Sequence, residues 1–208
     1  MLLGDGGQEH YYVKWAKTYI DYLKTNNDPR LSKIAVTQLY LSDGNKDQNS
    51  KYVTGAAAQK GQPNGKDLSG RVGVDIKTDP TFTTFPAYSS PNPGMTKRTG
   101  PAFILTYAET ELLLADAAQR FGVGTAAPHY TAGVTAAMTY LSQYDPAMTV
   151  AAADITAYLA AHPYSAPTGL EQINTQYWAL TNSMLDFYGA GATGGARASG
   201  PHARQLPQ

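Results

Sequence analysis

Three carboxylates, Glu109, Glu111 and Asp116, crowd one predicted helix. Paired carboxylates are the equipment of glycoside hydrolysis, one acting as acid and the other as base or nucleophile. The spacing tests that reading. Residues two apart on a helix point in nearly opposite directions, so Glu109 and Glu111 cannot share a substrate atom. Glu109 and Asp116 share a face but stand about 10 Å apart along the axis at the usual rise per residue. That is wider than a retaining pair and slightly wider than an inverting one. Structure uses the same residues more simply: Asp116 reaches Arg120 one turn on, and Glu109 near the helix start complements the macrodipole. Structural roles are therefore favoured. The alternative is a fragment of a carbohydrate-active enzyme using Glu109 or Asp116.

A second pattern, Gly189-x-Gly191-x-x-Gly194, has the spacing of a dinucleotide-binding loop. The chemistry needs a strand before it, a helix after it and an acidic residue about twenty positions on. Here a predicted helix precedes it, and no Asp or Glu follows from Gly195 to Gln208. In a chain with 20 glycines the bare spacing carries little information, and no nucleotide cofactor is expected. Ser199 has no neighbouring base and no G-x-S-x-G around it. His10, His129, His162 and His202 are scattered, without a paired metal-binding spacing. Cysteine is absent, which excludes disulfides, thiolate metal sites and cysteine nucleophiles. No metal site is expected.

The charges balance, with 16 basic and 16 acidic residues, so nothing favours a nucleic-acid backbone or an anionic membrane. Aromatic usage is unusual: 15 Tyr against 5 Phe and 2 Trp. A tyrosine ring combines an apolar face with a polar rim, suited to sugar or peptide surfaces as well as to half-buried helix contacts. The opening MLLGDGGQEH lacks the basic and apolar regions of a signal peptide. No apolar run approaches the roughly twenty residues of a membrane span.

Helices must position these groups. The spacing of Tyr12, Trp15, Ala16, Tyr19 and Leu23 predicts one helix from about Gln8 to Leu23, stopped where Asp28 precedes Pro29. From Leu31 to Gly100 turn residues punctuate throughout, and Phe82, Phe85 and Tyr88 favour an ordered loop packed on a scaffold. Helices then return at about Ala102–Phe121, with Pro101 near the start and Gly122 at the end, and at His129–Gln143. The first has apolar residues nearly all round and is expected to be buried, Leu113 included. A third helix runs from about Ala151 to Ala161. A fourth opens on the capping-box pattern Thr168–Glu171, with Ile173, Tyr177, Leu180, Met184 and Tyr188 as its buried stripe. The antiparallel pair has the size of a tetratricopeptide unit. One such pair cannot close a solenoid core, so exposed apolar faces and an aggregation-prone chain are expected.

Six stretches, NNDPRL, QKGQPNG, YSSPNPGMTKR, FILTYAETELLLADAAQRF, HYTAGVTAAM and LEQINTQYWAL, resemble in order and spacing the C-terminal half of the SusD/RagB outer-membrane lipoproteins. The resemblance implies a mainly α fold, tetratricopeptide-like helix pairs with long irregular loops, here incomplete. It implies a non-catalytic protein on the outer face of the outer membrane in Bacteroidetes-type bacteria. Its partners would be a glycan or peptide nutrient and a SusC-type TonB-dependent transporter. It also implies a membrane attachment made only through a lipidated cysteine, which this sequence lacks, so the chain reads as a truncated fragment. The expected organisation is 1–188 as the C-terminal part of a SusD/RagB-like domain, with 29–100 the long loop region and 101–188 helical. Candidate ligand-binding residues are Tyr11, Tyr12, Trp15, Tyr40, Asn64, Tyr88 and Asn92, rings for stacking on sugars and amides for their hydroxyls.

The family pattern ends in an aromatic stretch resembling Glu-Ala-Trp-x-Asn-Trp-Arg. Here the composition turns to Gly, Ala, Arg, Ser and Pro just after Tyr188. Codons for Gly191–Gly195, read one base out of frame, can encode Trp-Ser-Asn-Trp-Arg. The tail 189–208 is accordingly expected to be a disordered frameshift product, with a natural flexible terminus as the alternative.

Overall fold

The aromatic run near the N-terminus does not make one helix. The computed structural model describes residues 9–42, 47–97 and 99–184, and within them the run divides into α1 (Glu9–Tyr12) and α2 (Lys17–Thr25). Between the two, the backbone pairs outward. The Trp15 N–H donates to the Ser89 carbonyl at 2.8 Å, the Gln62 N–H to the Trp15 carbonyl at 2.8 Å, and the Lys17 N–H to the Gln62 carbonyl at 2.7 Å. A helix from Gln8 to Leu23 would need these groups for its own ladder. The break turns Tyr12 out to 46% exposure while Trp15, Tyr19, Ile20 and Leu23 stay buried.

Gly61 makes the break possible. A Cβ there would sit 2.4 Å from the Lys17 Cα and 2.7 Å from the Ala16 carbonyl oxygen. Neither obstacle is a side chain that could swing away. Gly61→Ala is expected to cost about 1–3 kcal/mol through this overpacking, and a chemical-denaturation midpoint equal to the parent's would contradict the close approach.

The described residues form two units, 9–100 with 144–148 and 101–143 with 149–184. In the first, α2 is followed by Asn27 in the left-handed region (φ 48°), and the Asp28 N–H returns to the Leu23 carbonyl at 2.8 Å. A one-turn helix α3 (Leu31–Ile34) leads into β1 (Ala35–Val36), which pairs antiparallel with β2 (Ser90–Pro91), Ala35 opposite Pro91 and Val36 opposite Ser90. The rest is loop with short 3-10 turns. Its packing comes from Tyr11, Val36, Leu39, Tyr40, Ile76, Phe85 and Tyr88, with Tyr52, Leu68 and Phe82 against them. Asp28 and Arg30 lie beneath, each side chain fully enclosed. The guanidinium grips the carboxylate through Nε at 2.9 Å and a terminal nitrogen at 2.5 Å.

The second unit is helical: α4 (Tyr107–Phe121), α5 (Ala126–Thr139), α6 (Ala152–Ala161) and α7 (Gly169–Ser183). α4 starts five residues later than its apolar pattern suggests, because Thr106 caps it. The Glu109 N–H donates to the Thr106 hydroxyl at 3.2 Å, and the Thr106 N–H donates to the Glu109 carboxylate at 2.9 Å. Gly122 closes α4 in the left-handed region (φ 66°), and the chain turns straight back into α5. The two helices are antiparallel and touch closely where Gly133 faces Leu112: a Cβ at Gly133 would lie 2.8 Å from the Leu112 Cγ. α7 packs on α4 as well.

Two expectations are corrected here. α4 is not enclosed all round: Ala108, Leu112, Ala115 and Ala118 are buried, but Tyr107, Leu113, Leu114 and Phe121 are 44–75% exposed. Its partners α5 and α7 cover only part of its circumference. Thr168 makes no side-chain cap. It ends a 3-10 turn (Ala166–Thr168) that runs directly into α7, and Gln172 does the local bonding, accepting from the Ser165 N–H at 2.8 Å and donating to the Pro163 carbonyl at 2.9 Å. The Gly189–Gly194 pattern, the tail 189–208 and Tyr188 lie outside the described residues.

Candidate functional site

The helical carboxylates are held by their own unit. Glu109 is committed to the Thr106 cap and accepts from the Tyr177 hydroxyl of α7 at 3.4 Å. Glu111 faces the other neighbour, α5, where His129 Nδ1 lies 2.7 Å from its carboxylate. Asp116 accepts from Arg120 Nε at 2.7 Å, the i,i+4 pair read from the sequence. Their chemistry is helix capping and cross-linking.

The Glu111 link carries a pH signature. The hydrogen bond to His129, then one from the Tyr107 hydroxyl, holds the Glu111 carboxyl below the usual glutamate range. A carboxyl more acidic in the folded than in the unfolded chain adds stability above its unfolded value, and loses it as pH falls through the folded one. Glu111→Gln is therefore expected to flatten the acid limb of stability below about pH 4.5. Melting curves with the parent's acid slope would refute the assignment.

The candidate binding residues belong to the first unit, where the structure divides them. Tyr11, Tyr12, Tyr40 and Tyr88 join one aromatic assembly around Phe85: Tyr11 and Tyr12 meet edge to face at 5.2 Å between ring centroids, and Phe85 lies 5.1 Å from Tyr11, 6.2 Å from Tyr12 and 6.1 Å from Tyr88. Most of these rings are internal. Trp15 is buried and donates its indole N–H to the Ile34 carbonyl at 3.1 Å. Tyr40 is buried and accepts from the Gln48 amide at 3.3 Å. Tyr88 is fully enclosed, donating to Asp79 at 2.7 Å with the Lys60 ammonium 4.4 Å from its centroid. Asn92 is engaged with the backbone, donating to the Lys33 carbonyl at 2.7 Å and accepting from the Gly94 N–H at 2.9 Å. Tyr12 and Asn64 face solvent.

Two features were not singled out from the sequence. Lys14, inside HYYVKW, is partly buried among the same rings: its ammonium donates to the Ser90 hydroxyl at 2.9 Å and lies 4.9 Å from the Phe85 centroid and 5.7 Å from that of Tyr11. Loss of hydration lowers its pKa to about 8. A lone lysine amid aromatics was the available signal. In the helical unit, a hollow of about 330 Å³ opens between the start of α4 and the end of α5. Phe103, Tyr107 and Tyr140 supply its rings, and Thr139 and Gln143 its polar groups. It is large enough for a small ligand, but its two walls come from segments 28 or more positions apart along the chain.

No helix among the described residues is long and apolar enough to cross a membrane, and none of their His, Asp and Glu side chains cluster as a metal site. Residues 5–184 match the SusD-like family model described as "Starch-binding associating with outer membrane". The chain belongs to the SusD-like family. Among solved structures it is similar to a chitin-binding protein, at 32% identity and TM-score 0.61 over 82% of this chain and 34% of that one. A SusD-like protein, Bacteroidetes AC2a, matches at 22% identity and TM-score 0.63 over 93% of this chain and 44% of that one. An outer membrane protein of Bacteroides vulgatus ATCC 8482, with an inferred role in nutrient binding, matches at 20% and 0.62 over 91% and 41%. The chain thus spans 34–44% of the length of these structures. No curated protein matches it. The helical SusD-like fold, with its helix pair and long loops, is the one its segments resembled.

Proposed function

We propose that this SusD-like chain is a non-catalytic glycan-binding component of a TonB-dependent uptake system, acting at the outer surface of the outer membrane beside a SusC-type transporter. The observation that carries this reading is the family match across residues 5–184. Two further facts support it. The chitin-binding relative is 32% identical, and the carboxylates an enzyme would need are engaged in capping and cross-linking. The binding surface we assign is the open edge of the aromatic assembly at Tyr12, with Asn64 as a second solvent-facing group of the same unit. Tyr12 is braced by Tyr11 and Phe85 and half open, so its ring is presented without an ordering cost, a requirement of tight stacking.

Calorimetric titration with malto- and chito-oligosaccharides tests the reading. Binding is expected, and Tyr12→Ala should weaken it about tenfold, the scale of one lost ring contact. Cleavage of either oligosaccharide that disappears in Glu109→Gln would overturn this reading in favour of the enzyme alternative.

A further inference from the structure

Among the described residues the Lys14 ammonium has no carboxylate partner. One of its hydrogens goes to Ser90. Its other neighbours among the described residues are the faces of Phe85 and Tyr11. Arg30, a buried cation of the same unit, is built differently, gripped at two points by the fully enclosed Asp28. Ring faces attract an ammonium more weakly than a carboxylate does once water is withdrawn. Lys14 is thus fixed in place, by one hydroxyl and two rings, with capacity left for a strong acceptor. Tyr12, 46% exposed, shares Phe85 with Lys14.

We propose that Lys14 and Tyr12 form an acid-reading subsite, in which a uronic-acid residue of a glycan stacks on the Tyr12 ring and sets its carboxylate on the Lys14 ammonium. Ser90 acts as a positioning residue, holding the amine between the rings. A carboxylate fits a single ammonium of unit charge, and a sugar ring fits the aromatic face beside it. The depressed pKa of about 8 agrees with a site lacking its anion, since an opposite charge nearby favours the ammonium form and moves the value upward. This inference rests on the glycan-binding reading above, and names the class of sugar bound at the same edge.

The test compares oligogalacturonate with its fully methyl-esterified form, alongside malto- and chito-oligosaccharides, by calorimetry on the intact chain. The acid is expected to bind about tenfold or more tightly than the ester, as for one charge-assisted hydrogen bond. Lys14→Met should remove that preference, bringing the affinity for the acid down to that for the ester. A second measurement needs no variant: NMR titration of the lysine side-chain resonances should show the Lys14 midpoint rising when oligogalacturonate is added. Equal affinity for acid and ester, or a midpoint that stays put with the acid bound, overturns the inference. Binding of malto- or chito-oligosaccharides without any uronate binding overturns it too, and leaves the glycan-binding function standing. If no oligosaccharide of the panel binds, both fall.

Discussion

Leu112→Asp is expected to abolish the cooperative melting of the helical unit. Leu112 is fully enclosed on α4, where the chain of α5 approaches so closely that only glycine fits opposite. A carboxylate there would lose its water and find no partner, a penalty on the order of 4 kcal/mol or more, comparable to the whole stability of a small unit. Leu113→Asp is the control. Although both leucines look equally buried in the sequence, Leu113 is 53% exposed, and its substitution should change stability by no more than about 0.5 kcal/mol. Circular-dichroism melts of the two variants measure the difference. A pair of curves that coincide would mean that the facing of α4 is misassigned.

Arg30→Met should be nearly as damaging in the first unit. The variant leaves the Asp28 carboxylate enclosed without its guanidinium, and breaking a buried ion pair from one side costs about 3–5 kcal/mol. Removing both charges is a different matter. Asp28→Leu combined with Arg30→Met should recover most of the loss, because the large penalty belongs to the stranded charge rather than to the absent pair. Urea denaturation of the two single variants and the double variant gives the coupling directly. Simple additivity of the single losses would show that the pair is not buried as described.

The sequence by itself determined whatever depends on neighbours a turn or two away. The Asp116–Arg120 pair, the stop after α2 at Asn27 and Asp28, the left-handed Gly122 and the extent of α6 follow from local geometry that any helix imposes. The ordered segments that carry the family resemblance were legible for a related reason, since each is a run of residues whose order is written in the chain. Tertiary structure alone decided where a periodic pattern is interrupted and which side of it is covered. The stripe from Tyr12 to Leu23 has helical spacing, yet the loop at Gly61 and Gln62 captures the backbone at Trp15 and Lys17 and splits it. That turns Tyr12 outward and draws Trp15 in. On α4, alternating burial of Leu112 and exposure of Leu113 depends on where α5 and α7 lie. In the first unit, Lys14 meets Phe85 and Ser90, more than seventy residues on, only through the pairing of β1 with β2 and the packing around it. Burial and the company a side chain keeps are set by contacts between distant segments, and a local pattern holds no record of which segment will arrive.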